Sequence, residues 1–231
     1  MLDSPVRRLC AAVTATPWSA DPDTPPHTGP GSGPHARPHR GALEAAEHAC
    51  RQAGLHEAFV QEVTLEPGDG RAAPDAVLLV MPPGVNEARV IGDLVRGLDD
   101  AHTVTATGPA GRPEGGSSRL VIAFDQGITR LTDAGFEGNV VTAVLRLAAE
   151  ERSRSARRGD PGARVGVVIT AALLDDLTPP PAAWDTPATG EAPGGRVPVG
   201  SEPLTVDLPG RRVAAWSYPS GRSFRLPDRS G

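Results

Sequence analysis

The sequence predicts an α+β domain built on a split-βαβ, ferredoxin-like sheet. Two observations carry that expectation. Short apolar runs rich in strand formers alternate with stretches whose apolar residues recur at helical spacing, in the order βαββαβ. The segment 119–149, RLVIAFDQGITRLTDAGFEGNVVTAVLRLAA, holds a strand, a turn and an amphipathic helix in succession. A mostly antiparallel sheet with helices on one face is the arrangement that order implies for the first part of the chain.

Taken in order, RLCAAVT (Arg8 to Thr14) reads as the first strand. Pro17 to Arg40 is dense in Pro, Gly, Asp and His and has too little apolar surface to offset the entropy of ordering it, so a loop is expected. The spacing of His27, His35 and His39 matches no metal-site geometry. Leu43, Ala46 and Cys50 mark the inner face of a helix over Ala42 to Gly54. Phe59 to Leu65 and Asp75 to Met81 are strands, and EPGDGRAAP between them is turn chemistry that makes them a hairpin. Asn86 caps a second helix with Val90, Ile91, Leu94, Val95 and Leu98 on its apolar face. His102 to Ser118 reads as a loop.

Leu120 to Phe124 is a central strand that Asp125 and Gly127 are expected to end. Past Asp133, Gly135 and Gly138, a helix starts near Asn139, with Val141, Val144, Leu145 and Ala148 on one face. The arginine-rich stretch Glu150 to Arg164 reads as a solvated helix end and linker. VGVVIT (Val165 to Thr170) is another buried strand, Pro179 to Pro203 is of low complexity, and Leu204 to Leu208 and Arg212 to Tyr218 form a terminal hairpin about Pro209 and Gly210. The organisation expected is a single domain over 8–218, with a disordered insertion at 17–40, a low-complexity loop at 179–203 and a flexible tail at 219–231.

Composition narrows the function classes. The chain has 231 residues, with 25 prolines and 27 glycines clustered in four segments, and only 3% aromatics, so its core is built of Val, Leu, Ile and Ala. A net charge of -5 argues against a general affinity for nucleic acid or an anionic membrane surface. Every basic residue other than histidine is arginine, which removes any mechanism that needs a lysine. No run reaches the length of a membrane span, and a cytoplasmic protein with Cys10 and Cys50 as reduced thiols is expected.

Four pieces of the chain, AAVTATPWS, DAVLLVMPPGVNEARVI, RLVIAFDQGITRLTDAGFEGNVVTAVLRLA and VGVVITAALLDDL, together resemble the class III nucleotidyl (adenylate/guanylate) cyclase catalytic domain in its diverged actinobacterial form. The resemblance follows family order over most of Arg8 to Leu177, and the terminal hairpin fits it. It implies a cyclase-homology domain whose homodimer or heterodimer interface holds the sites, with Mg or Mn ions on a nucleoside triphosphate. Two carboxylates would hold the metals, an asparagine and an arginine would orient ribose and stabilise phosphate charge, and a lysine would read the base.

Four of these five roles have a position here. The first metal carboxylate falls on Thr14. The second falls on Asp75, in register with the downstream PP-G-V, or on Asp69, in a literal GDG that is also ordinary turn chemistry. The asparagine falls on Thr142, the arginine on Arg146, and the lysine has no counterpart. The resemblance therefore implies a degenerate domain without turnover, with no cofactor expected, acting as a regulatory or protein-interaction module. The alternative is a divergent active cyclase, using Asp125 with Asp75 or completed by a partner chain, and then needing Mg or Mn. An unrelated ferredoxin-like binding domain would instead lack the terminal hairpin.

Overall fold

The structure, a computed structural model, describes residues 5–16, 36–65, 74–106, 119–158, 164–178 and 200–218. The elements are β1 (Val6–Thr16), α1 (Ala36–Gln52), β2 (Phe59–Val63), β3 (Ala76–Val80), α2 (Glu87–Ala106), β4 (Arg119–Thr132), β5 (Gly135–Glu137), α3 (Asn139–Arg158), β6 (Val165–Thr170), α4 (Ala171–Leu177), β7 (Glu202–Leu208) and β8 (Arg211–Tyr218). One sheet runs β2-β3-β1-β4-β6-β8-β7, so β2 and β7 are its two end strands. All neighbours along it are antiparallel except β4 and β6.

The first four strands of that order, with α1 and α2 on one face, are the ferredoxin-like half the sequence implies. Alternation along β1 feeds two cores. Leu9, Ala11, Val13 and Ala15 pack beneath α1, α2 and α4, whereas Cys10 and Ala12 pack beneath α3 on the opposite face. The helix α3 is the crossover between the parallel strands β4 and β6, and it covers the face the first two helices leave open. Helices α1 and α2 approach closely because α1 presents alanines: a Cβ added at Gly97 would lie 2.7 Å from the Ala49 Cα. Asn86 caps α2 as expected, its Oδ1 accepting from the Arg89 N–H at 3.0 Å.

Several boundaries differ from the sequence reading. Strand β4 does not end at Asp125 and Gly127 but continues to Thr132, because its backbone stays paired with β1 as far as Val6 opposite Thr129. Gly127 serves packing instead. A Cβ there would meet the Val140 Cβ at 3.1 Å, so its absence lets the start of α3 sit against the strand. Beyond it, β5 folds back on β4, a short hairpin the apolar pattern does not reveal. Helix α1 begins at Ala36, inside the segment read as a loop, and α2 runs to Ala106, past its expected end. Helix α4 was not anticipated. Thr170 caps it, with its Oγ1 accepting from the Leu173 N–H at 3.4 Å, and Leu173, Leu174 and Leu177 bury its inner face.

The terminal hairpin is present, with Gly210 at φ +75° in its turn. The stretch 150–158 is a helix end, as expected, and Ser153 and residues 156–158 are exposed, but it is not solvated all round. It is the last part of α3, and Glu151 and Ser155 within it are buried. Residues 17–35 of the insertion expected over 17–40, residues 179–199 of the low-complexity loop expected over 179–203, and the tail expected over 219–231 lie outside the described residues, while β7 begins at Glu202, inside the second of these segments.

Candidate functional site

The two positions that the resemblance assigns to metal ligands meet at the ends of β1 and β3. Thr14 stands opposite Ala76 in the antiparallel register, which sets Asp75 one step beyond it. The buried Thr14 hydroxyl donates to the Asp75 main-chain carbonyl at 2.8 Å. The Asp75 carboxylate has its own partners. Oδ1 accepts from the Leu65 N–H at 2.7 Å across the mouth of the β2–β3 hairpin, and Oδ2 meets the Arg152 Nη1 of α3 at 2.6 Å. Both side chains of that ion pair are about three-quarters withdrawn from solvent, at 28% and 26% exposure.

This donor set does not fit a pair of divalent cations. Mg²⁺ and Mn²⁺ need several hard oxygen ligands with uncompensated negative charge, and here one carboxylate is already neutralised by a guanidinium. Among the described residues no group of three or more His, Cys, Asp or Glu is placed to hold a metal ion. Asp125 does not complete the set. It stands opposite Cys10, whereas Asp75 lies level with Ala15. Five residues of strand separate them, roughly 16 Å at about 3.3 Å per residue. Asp69 lies outside the described residues.

Thr142 and Arg146 occupy the exposed side of α3, one turn apart. The Thr142 hydroxyl points back along its own helix, 3.5 Å from the Gly138 carbonyl. Arg146 reaches solvent and makes no ion pair with another described residue. The residue that α3 sends to Asp75 is Arg152, which the sequence reading placed among solvated charges. Its signal is tertiary, since the pair spans 77 positions, and no local spacing reveals it.

Asp125 organises a second polar centre. Its Oδ1 accepts from the Thr170 hydroxyl at 2.7 Å and from the Gln126 N–H at 2.9 Å, and the carboxyl is buried. Burial raises its pKa above the ordinary carboxylate range, while these hydrogen bonds and the charge of Arg211 pull in the opposite direction. The native state therefore keeps this proton to higher pH than the unfolded chain. The contribution of Asp125 to stability is complete below the unfolded value of about 3.9 and is lost as pH rises through the raised native value. Asp125→Asn keeps an acceptor for Thr170 and removes the charge. Its melting temperature relative to the parent protein is expected to rise as pH increases above the unfolded value of about 3.9, and a difference that does not change with pH contradicts the assignment.

Cys10 and Cys50 are both free and buried, as the reading of reduced thiols requires. Burial pushes their thiols up to about 12 and about 11. Burial therefore favours the neutral thiol at both positions.

No protein-family model matches the sequence, and no curated protein matches it. Solved structures do. The fold is similar to that of an adenylate/guanylate cyclase/hydrolase from Silicibacter pomeroyi, at 14% identity and a TM-score of 0.46, over 97% of this chain and 100% of that one. It is also similar to a bacterial light-regulated adenylyl cyclase, at 11% identity and a TM-score of 0.44, over 93% of this chain and 52% of that one. This chain thus spans about half of that protein's length. A guanylyl cyclase matches at 13% identity and a TM-score of 0.43, over 99% of this chain and 98% of that one. At these identities and TM-scores the likeness is one of fold alone. Among the described residues no helix is long and apolar enough to cross a membrane.

Proposed function

We propose that the chain is a degenerate nucleotidyl cyclase-like domain that has lost turnover and acts as a regulatory or protein-interaction module. One observation carries the reading: at the place the resemblance gives to two metal carboxylates stand a threonine hydroxyl bonded to a carbonyl and a carboxylate held by Arg152. In-line cyclisation of a nucleoside triphosphate needs negative charge there to hold cations that bind the phosphates and help the ribose hydroxyl attack. The missing lysine removes base recognition by the same route.

An interaction role also has a surface to work with. Leu131 of β4 lies opposite Phe136 of β5, the Phe136 ring packs edge-to-face on Phe59 at 5.0 Å, and the Arg8 guanidinium lies 5.2 Å from the Phe136 ring centre. Phe59 and Leu131 are large apolar side chains left exposed, at 36% and 38%. We assign this stretch as the place for a homodimer or heterodimer contact.

Arg146 favours a second reading, in which a partner chain supplies carboxylates and base recognition. What supports it is an exposed arginine on α3 that makes no ion pair with another described residue, since a guanidinium pairs well with phosphate oxygens. Titration of the protein with ATP and GTP, in Mg²⁺ or Mn²⁺ and with chromatographic assay of the same samples, separates the readings. The expected result is no cyclic product from the protein alone. Cyclic product overturns the loss of turnover, and nucleotide binding without product, weakened by Arg146→Ala, makes the domain a nucleotide sensor.

A further inference from the structure

We propose that Arg152 is a built-in cation: its guanidinium takes the place on Asp75 that a divalent metal would need, and in doing so fastens α3 to the mouth of the β2–β3 hairpin. The inference rests on the reading that this site has lost its catalytic metals, and it names what replaced them. Asp75 has two carboxylate oxygens and a main-chain carbonyl, all hard ligands in principle. Each is engaged: Oδ1 by the Leu65 N–H at 2.7 Å, Oδ2 by Arg152 at 2.6 Å, and the carbonyl by the Thr14 hydroxyl at 2.8 Å.

A main-chain N–H and a hydroxyl are weak competitors for a metal, since a carboxylate can bridge and a hydroxyl can rotate. Arg152 is different. It brings a full positive charge at charge-assisted hydrogen-bond distance and largely out of water. A divalent ion arriving at Asp75 meets that charge first. Arg152 also sits on a helix whose inner face, including Val144, Leu147 and Ala148, is buried, so its backbone cannot retreat without disturbing the core. The guanidinium is therefore a fixture of the fold rather than a mobile surface charge.

Removing the guanidinium and restoring a second carboxylate should convert the place into a divalent-cation site. The test is Mn²⁺ titration followed by the paramagnetic resonance signal of the free ion, with melting temperature read on the same samples. The parent protein and Arg152→Lys, which keeps the cation, are expected to leave Mn²⁺ free. The double variant Thr14→Asp with Arg152→Gln is expected to take up Mn²⁺ roughly tenfold or more tightly than the parent, about 1.4 kcal/mol, and to melt higher in its presence. Adding Asp75→Asn should abolish the gain.

Two results overturn the inference. One is Mn²⁺ uptake by the parent protein that Asp75→Asn removes, which shows that metal reaches Asp75 past Arg152; this measurement needs no variant of Arg152 and stands if the double variant does not fold. The other is a folded double variant that takes up no more Mn²⁺ than the parent. Cyclic product from the parent protein without Mn²⁺ uptake at Asp75 overturns the loss of turnover but leaves the role of Arg152 intact, so the two failures are distinguishable.

Discussion

Glu151→Ala is expected to destabilise the domain by about 3–5 kcal/mol. Glu151 lies on the inward side of α3 and is fully buried. Its Oε1 accepts from the Ser155 hydroxyl at 3.1 Å and from Arg158 at 3.4 Å, and lies 4.0 Å from the Nη2 of Arg119, which is only 6% exposed. Arg158 also pairs with Glu202 of β7, so the centre links α3, the start of β4 and the last hairpin. Truncating the carboxylate leaves arginine charge facing a low-dielectric interior, which costs far more than the net worth of the intact pair. A fall in melting temperature of roughly 6–20 °C follows for a chain of this size. Urea unfolding checks it, and a loss below about 1 kcal/mol rules out a buried charge centre. Glu151→Leu combined with Arg119→Met is expected to recover part of the loss, because the most buried arginine is removed with the carboxylate and Arg158 keeps its pairing with Glu202, while the Ser155 hydroxyl still loses its acceptor.

Phe124→Ala is expected to cost a similar amount, about 3–5 kcal/mol. Phe124 is among the largest fully buried side chains and sits on β4 in the core beneath α1, α2 and α4. The chain has only four phenylalanines, and the rest of that core is chiefly alanine, valine, leucine and isoleucine. Small side chains fixed on regular elements cannot swing in to fill a benzyl-sized void, so the cavity term persists. Chemical denaturation should show a lower midpoint with an unchanged slope. A loss below about 1 kcal/mol would mean that the α1–α2 layer collapses onto the sheet.

What the sequence reveals and what it hides follow a physical division. The strands β3 and β6 and the first part of β4 are apolar runs buried on both faces, and such runs are legible without knowing their neighbours. The cap at Asn86 and the glycine turn at Gly210 are legible for the same reason, since their chemistry is local. Beyond Asp125, β4 is held by pairing with β1, more than a hundred positions away, and local polarity points the wrong way. Helix α4 hides in VGVVITAALLDDL because 171–174 carry the apolar run of β6 on past Thr170, which is the helix's one local marker. At the candidate site, the meeting of Thr14 with Asp75 follows from strand order, whereas the engagement of Asp75 by Arg152 depends on how α3 crosses the sheet. Glu151 escapes notice likewise, as an acidic residue among arginines that the helix turns inward.

The two end strands of the sheet bear on how the domain behaves at high concentration. An unpaired strand edge is a template for adding another chain, and long flat apolar edges polymerise. Here β2 is only five residues long and carries the exposed Glu62. Strand β7 carries Glu202, Pro203 and Asp207 on its exposed positions, with Leu204, Val206 and Leu208 turned into the core. Proline offers no N–H to an incoming strand, and the acidic side chains repel a second copy of themselves. A sheet blunted at both ends grows no further along its own hydrogen-bonding direction, so copies of the domain should not polymerise into fibrils through their strand edges.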